Sequence, residues 1–232
     1  MARATRARAA QPQARRPPRL PEPLTEATQP PWDEPVWSGL ELSADLPGES
    51  LAGVELRELR WSGRLPGAQL RGVRLVDVVF DRCDLSGVAF DRATLHRVEF
   101  RSCRMSGAVL AGATCEDVLV TGCTLHLANL RQLEGRRLHV VDSDLRDADL
   151  AGARLTDSRL IGSQLDGAEF SGATLTDVRL HGSSVLRIGG VTALTGALID
   201  AEQELPLALQ LLHAAGVRVV PQEPGELPGA PG

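Results

Sequence analysis

The chain has 232 residues, a net charge of −5 and no lysine; all 25 basic residues are arginine. Tyrosine is absent and phenylalanine occurs four times, which excludes the ring-rich core of an ordinary globular domain of this length. The mild charge names no partner, and no apolar run is long enough for an export signal or a membrane span, so a cytoplasmic location is expected.

Residues 1–20 hold six arginines (Arg3, Arg6, Arg8, Arg15, Arg16 and Arg19) and no acid, and residues 21–50 reverse this with seven acids and no base. Pro17 and Pro18 follow Arg15-Arg16, where a twin-arginine signal needs an apolar run. A tail of Arg, Ala and Pro cannot bury a core, so residues 1–43 are expected to be a disordered, low-complexity arm. Direct binding of nucleic acid through the arm is disfavoured. Trp32, Trp37, Leu40 and Leu42 at its end are expected to cover the first turn of the regular region that begins at Ala44, because an uncovered end leaves backbone unpaired.

Over 44–188 a large apolar residue returns every fifth position, a period that fits neither a strand nor a helix. Two residues before each centre stands a small or β-branched residue, such as Ala68, Val73, Val78 and Cys83. One large and one small inward position in five describe a narrow, packed tube. One residue is missing between Trp61 and Leu65, and Gly135 alone breaks the later series.

The units Ala44-Asp45-Leu46, Ala148-Asp149-Leu150, Ala153-Arg154-Leu155, Ala168-Glu169-Phe170 and Ala173-Thr174-Leu175 resemble the pentapeptide-repeat family, whose unit is similar to A-[D/N]-L-x-x. The resemblance implies an all-β solenoid, a right-handed quadrilateral β-helix with four five-residue faces per coil. Residues twenty apart would then stack at about 4.8 Å. The implied core is Leu70, Leu75, Phe80, Leu85, Phe90, Leu95, Phe100, Leu110, Leu125, Leu145, Leu150, Leu155, Leu160, Leu165, Phe170 and Leu175.

Stacking by twenty makes Cys83, Cys103 and Cys123 one inward column. A rise of about 4.8 Å is long for a disulfide and poor for tetrahedral zinc, so these thiols are expected to pack as small hydrophobes. The corner column Asp77, Arg97, Asp117, Arg137, Asp157 and Asp177 alternates in sign until its last step. Its neighbours are expected to pair across coils as exposed ions, each pair worth about 0–1 kcal/mol. Charge also drifts. Residues 142–180 have four arginines against eight acids, and Asp142, Asp144, Asp147, Asp149, Asp166 and Glu169 form a candidate acidic interaction surface.

Residues 189–220 read as a C-terminal module. Asp200 is a fitting helix N-cap, with Glu202 and Glu204 favourable to the helix dipole and Gly216 as the stop. The helix would cap the last coil with one face. Its other stripe, with Leu207, Leu211 and Ala215, is the candidate interface of a homodimer, joined by an edge strand over 217–220. Residues 221–232 read as a disordered tail.

No nucleophile–base set, phosphate loop or dinucleotide fingerprint is present, and the five histidines are scattered, most of them at outward solenoid positions, where solvation is the default. The chain is therefore read as a non-enzyme without cofactor or metal. The leading expectation is a scaffold that binds an unidentified protein partner. The resemblance implies an alternative, since some members are acidic, dimeric DNA mimics that bind DNA gyrase and protect it from quinolones. The body from 65 to 190 is nearly neutral for that role, with fifteen arginines against sixteen acids.

Overall fold

A computed structural model describes residues 14–218. The chain winds into a parallel β-solenoid of about seven turns closed by one helix. Four faces alternate in each coil, centred in the first full coil on Leu65, Leu70, Leu75 and Phe80. The register is twenty residues: Leu75 pairs with Leu95, Phe80 with Phe100, Arg64 bridges to Asp84, and Gln69 to Ala89. The centres predicted from the period are all buried, and so are the small residues two positions before them from Ala68 to Ala128, whereas Ala173 is only partly buried.

The N-terminal strands are β1 (Thr25–Ala27), β2 (Val36–Ser38), β3 (Leu40–Leu42), β4 (Glu55–Trp61), β5 (Arg74–Asp81) and β6 (Thr94–Arg101). Beyond β6 each coil contributes short strands, such as Thr114–Glu116 and Leu119–Thr121. The short first coil keeps its alignment through a nineteen-residue step, with Leu56 on Leu75 and Trp61 on Phe80. Gly63 stands at the tightened corner, where a Cβ would overlap the Ala44 carbonyl oxygen. Rings form a ladder through this end: Trp37 lies 6.1 Å from Trp61, Trp61 6.3 Å from Phe80, and Phe80 5.1 Å from Phe100.

Where the centre is missing at Gly135, the small inward positions carry Leu133 and Leu138 instead. Both are buried, and a Cβ on Gly135 would lie 2.7 Å from Leu155 Cδ2. Two leucines thus replace one centre, leaving a void of ≈30 Å³ along the axis. The cysteine column continues as Ser143, Ser163 and Ser183. The Cys103 N–H donates to Cys123 Sγ at 3.3 Å, Cys123 N–H to Ser143 Oγ at 3.1 Å, and Ser163 N–H to Ser183 Oγ at 3.0 Å. The Cys123 thiol thus accepts a main-chain hydrogen bond as well as filling space, and the Cys83 and Cys103 thiols donate to the Trp61 and Phe80 carbonyls at 3.2 and 3.5 Å.

The expectation of a disordered arm fails from residue 14 onward. Pairing reaches back to Thr25: β1 lies on β3, β3 on β4, and β2 places Trp37 on Leu56. Residues 14–20 run along the solenoid axis across the coils. Arg16 N–H donates to Asp117 Oδ1 at 3.0 Å and Arg19 N–H to Asp77 Oδ1 at 2.9 Å. Three residues thus cross two coils. A polyproline II segment of that length spans about 9.3 Å, and two coil rises make about 9.6 Å. Pro17 and Pro18 supply that extended geometry and have no N–H to leave unpaired. Residues 1–13, and the edge strand and tail expected beyond 218, lie outside the described residues; Val217 and Arg218 are in no strand.

Candidate functional site

The first surface is the corner column beneath the arm. Its six residues all take left-handed backbone, with φ between 51 and 59°. Arg97 pairs bidentately with Asp77, and Arg137 with Asp117. The exposed pairs expected here are instead closed off. Asp117 is 0% and Arg137 2% exposed, and Glu99, on the adjoining face, is 2% exposed between Arg15 and Arg101. The arm is the reason for the difference. Past its described end, Asp157 is half-buried and Asp177 exposed. Burial drives the Asp117 carboxyl up, but Arg137 and the Arg16 N–H outweigh it and hold the group below the usual carboxylate range. His139, two coils on in the column of Glu99, is half-buried rather than solvated. Burial first, then Arg159 and Arg15, lower it to about 4.

The second surface is acidic. Asp142, Asp144, Asp147, Asp149, Asp166 and Glu169 spread over two adjacent faces and their corners, and are not equally free. Arg146 grips Asp144 at 2.9 and 2.7 Å, Arg131 reaches Asp149 at 2.9 Å, and His126 stands 3.8 Å from Asp147. Asp166 accepts the Leu186 N–H, and Glu169 the Ser171 N–H. Among the described residues Asp142, Asp157, Asp166, Glu169 and Asp177 enter no ion pair.

The third surface is the C-terminal end. Helix α1 (Ala201–Ala214) is N-capped by Asp200 in a reciprocal capping box with Gln203. Its inner face meets the open last coil with two glutamines seven residues apart. Gln203 Nε2 donates to the Leu180 and Ser183 carbonyls at 2.6 and 2.7 Å, and Gln210 Nε2 to the Val185 carbonyl at 2.8 Å. The Ile188 N–H returns a bond to Gln210 Oε1 at 2.7 Å. Leu207, between them and 6% exposed, belongs to this cap, which corrects its assignment to the outer stripe. Leu211 and Ala215 do face solvent. The missed outer stripe is Leu205, Leu209 and Leu212, at 66, 51 and 42% exposure. The spacing of Gln203, Leu207 and Gln210 was the available signal, since residues three and four apart share a helix face.

All four cysteines are free and buried, and Cys115 is pushed up to about 12 by burial alone. Among the described residues no cluster of three metal-ligating side chains occurs, and no helix is long and apolar enough to cross a membrane.

Eight copies of the family described as pentapeptide repeats match residues 64–101, 90–126 and 143–182. No curated protein matches. Among solved structures, full-length QnrB1, a plasmid-mediated fluoroquinolone resistance protein, aligns at 22% identity and a TM-score of 0.53, covering 75% of this chain and 91% of its own. HetL, a pentapeptide repeat protein involved in heterocyst differentiation regulation in the cyanobacterium Nostoc sp. strain PCC 7120, aligns at 22% identity and a TM-score of 0.34, covering 67% and 82%.

Proposed function

This chain is a pentapeptide-repeat protein, and on that premise we propose that it is a non-enzymatic cytoplasmic scaffold whose C-terminal end binds protein. The stripe of Leu205, Leu209 and Leu212 carries this reading. The last coil is capped by the opposite face of the helix, through Gln203, Leu207 and Gln210, so the stripe is not used in closing the fold. An apolar stripe left in water favours a protein interface. Self-association is the simplest use of it, because one surface on two copies closes with two-fold symmetry. Sedimentation of the full chain against a Leu205→Glu, Leu209→Glu variant tests the dimer. Affinity capture with the same two proteins as bait tests the scaffold. Identical recoveries by both, or turnover of a small molecule by the purified chain, would overturn the reading.

A second reading is favoured by the five acids free of ion pairs on the C-terminal coils, taken with the fold shared with a fluoroquinolone resistance protein. It is a dimeric DNA mimic that engages gyrase. The paired state of Asp144 and Asp149 weakens it. A gyrase supercoiling assay at micromolar protein, with and without a quinolone, decides: no effect in either arm removes this reading and leaves the scaffold.

A further inference from the structure

The arm at 14–20 occupies a prepared surface. Asp77, Glu99 and Asp117 are almost wholly buried, and each carboxylate takes a hydrogen bond from the arm. Two of those bonds come from main-chain N–H groups, of Arg16 and Arg19, and one from a single guanidinium, Arg15 Nη2 to Glu99 Oε1 at 2.6 Å. The surface thus reads a backbone pitch and one cation. The pitch is that of polyproline II, because the two carboxylates stand two coils apart and the two donors three residues apart. The arm leaves Arg16, Pro17 and Arg19 exposed, so those side chains add little that another arginine–proline segment would lack. Arg97 and Arg137 hold Asp77 and Asp117 from beneath and fix the carboxylates in place, with or without an occupant.

We propose that the track of Asp77, Glu99 and Asp117 is a binding site for extended arginine- and proline-rich peptides of a protein partner, kept closed by residues 14–20 as its resident ligand. The track lies apart from the C-terminal end, so this site and the scaffold reading stand or fall separately. A tethered occupant acts at an effective concentration on the order of millimolar. A partner's peptide therefore gains access only when the arm is drawn away or outcompeted.

The test is direct binding of a fluorescein-labelled peptide with the sequence of residues 14–21 to two full-length proteins. One is the unaltered chain; the other carries Arg15→Ser, Pro17→Gly and Pro18→Gly, which loosen the arm and leave the track intact. The variant is expected to bind the peptide at least about tenfold more tightly than the unaltered chain. Binding should weaken as salt rises from about 50 to 300 mM, since the contacts are charge-assisted. A peptide with both prolines replaced by glycine should bind about tenfold more weakly. Equal affinity for the two proteins, or no binding to the variant at millimolar peptide, overturns the proposal. So does a concentration-dependent dimer of the unaltered chain that vanishes in the variant, because the track's occupant would then be a second copy. Hydrogen exchange on the unaltered chain is the independent check: Arg16 and Arg19 amides that exchange at the free-peptide rate would remove the strap itself.

Discussion

Arg137 grips Asp117 of the preceding coil through two parallel bonds, Nε to Oδ1 at 2.6 Å and Nη2 to Oδ2 at 2.9 Å, with neither residue more than 2% exposed. Removing one member of such a buried pair strands the other charge, which costs about 3–5 kcal/mol. Asp117→Ala is therefore expected to lose that much. Asp177→Ala, at the exposed end of the same column, should lose under about 1 kcal/mol. Urea denaturation of both variants checks this, and equal losses would mean that the arm does not cover the column.

A second expectation concerns acid. His139 sits among Arg159, Arg15, Arg137 and Asp117 with its pKa lowered to about 4 from 6.5. The unfolded chain binds that proton first, so stability falls as pH drops from about 6.5 towards 4. Below this window the depressed Asp77 and Asp117 carboxyls begin to protonate and their contribution is lost in turn. His139→Gln should flatten the upper part of the curve and leave the lower part. A denaturation midpoint that falls equally in both proteins between pH 6.5 and 4.5 would refute the assignment.

Gln203→Ala leaves the Ser183 carbonyl without its donor at the end of the tube and takes one of two donors from the Leu180 carbonyl, which keeps the Ser183 N–H at 3.1 Å. Unmet buried groups cost about 1–3 kcal/mol. The loss should appear as faster hydrogen exchange in the last coil, with coils near Phe80 unchanged. Uniform acceleration along the chain would mean that the glutamine supports more than the cap.

Gly135→Ala should destabilise by about 1–3 kcal/mol, because the new methyl would lie 2.7 Å from Leu155 Cδ2 and the leucines around it must shift to admit it. Adding Leu138→Val should recover part of it, since Leu138 Cδ2 and Cβ are the next atoms met, at 3.2 and 3.3 Å. Phe100→Ala, removing a ring stacked 5.1 Å from Phe80, should cost about 3–5 kcal/mol. Thermal melts of the single and double variants test the coupling, and strict additivity would place Leu138 outside the space that Gly135 vacates.

The coils were legible because one rule repeats: a centre every fifth residue, with a small residue two before it, leaves a single way to wind the chain. Even the exceptions spoke, as the short step at Gly63 and the missing centre at Gly135 both sit where the chain adjusts. The strap was not legible. Arg15, Arg16, Pro17, Pro18 and Arg19 have the composition of a loose tail, and the partners of the three arginines are 58 to 101 residues away. Only the coil rise, set against the pitch of two prolines, connects them. The helix reads in sequence as an apolar lid, yet it closes the tube largely through Gln203 and Gln210. An open coil end is a row of polar backbone groups, which amides satisfy and leucines do not.

A solenoid in which each coil touches only its neighbours unravels from its ends, one coil at a time. The segment from Arg15 to Arg19 alters that order at the N-terminal end. The chain that forms the outermost strand first passes over three further coils, anchored at Asp117, Glu99 and Asp77. Lifting the first coil therefore requires stripping contacts from coils deeper in the stack, and fraying at that end becomes a concerted event. The opposite end, held by one helix, is left as the place where unfolding begins.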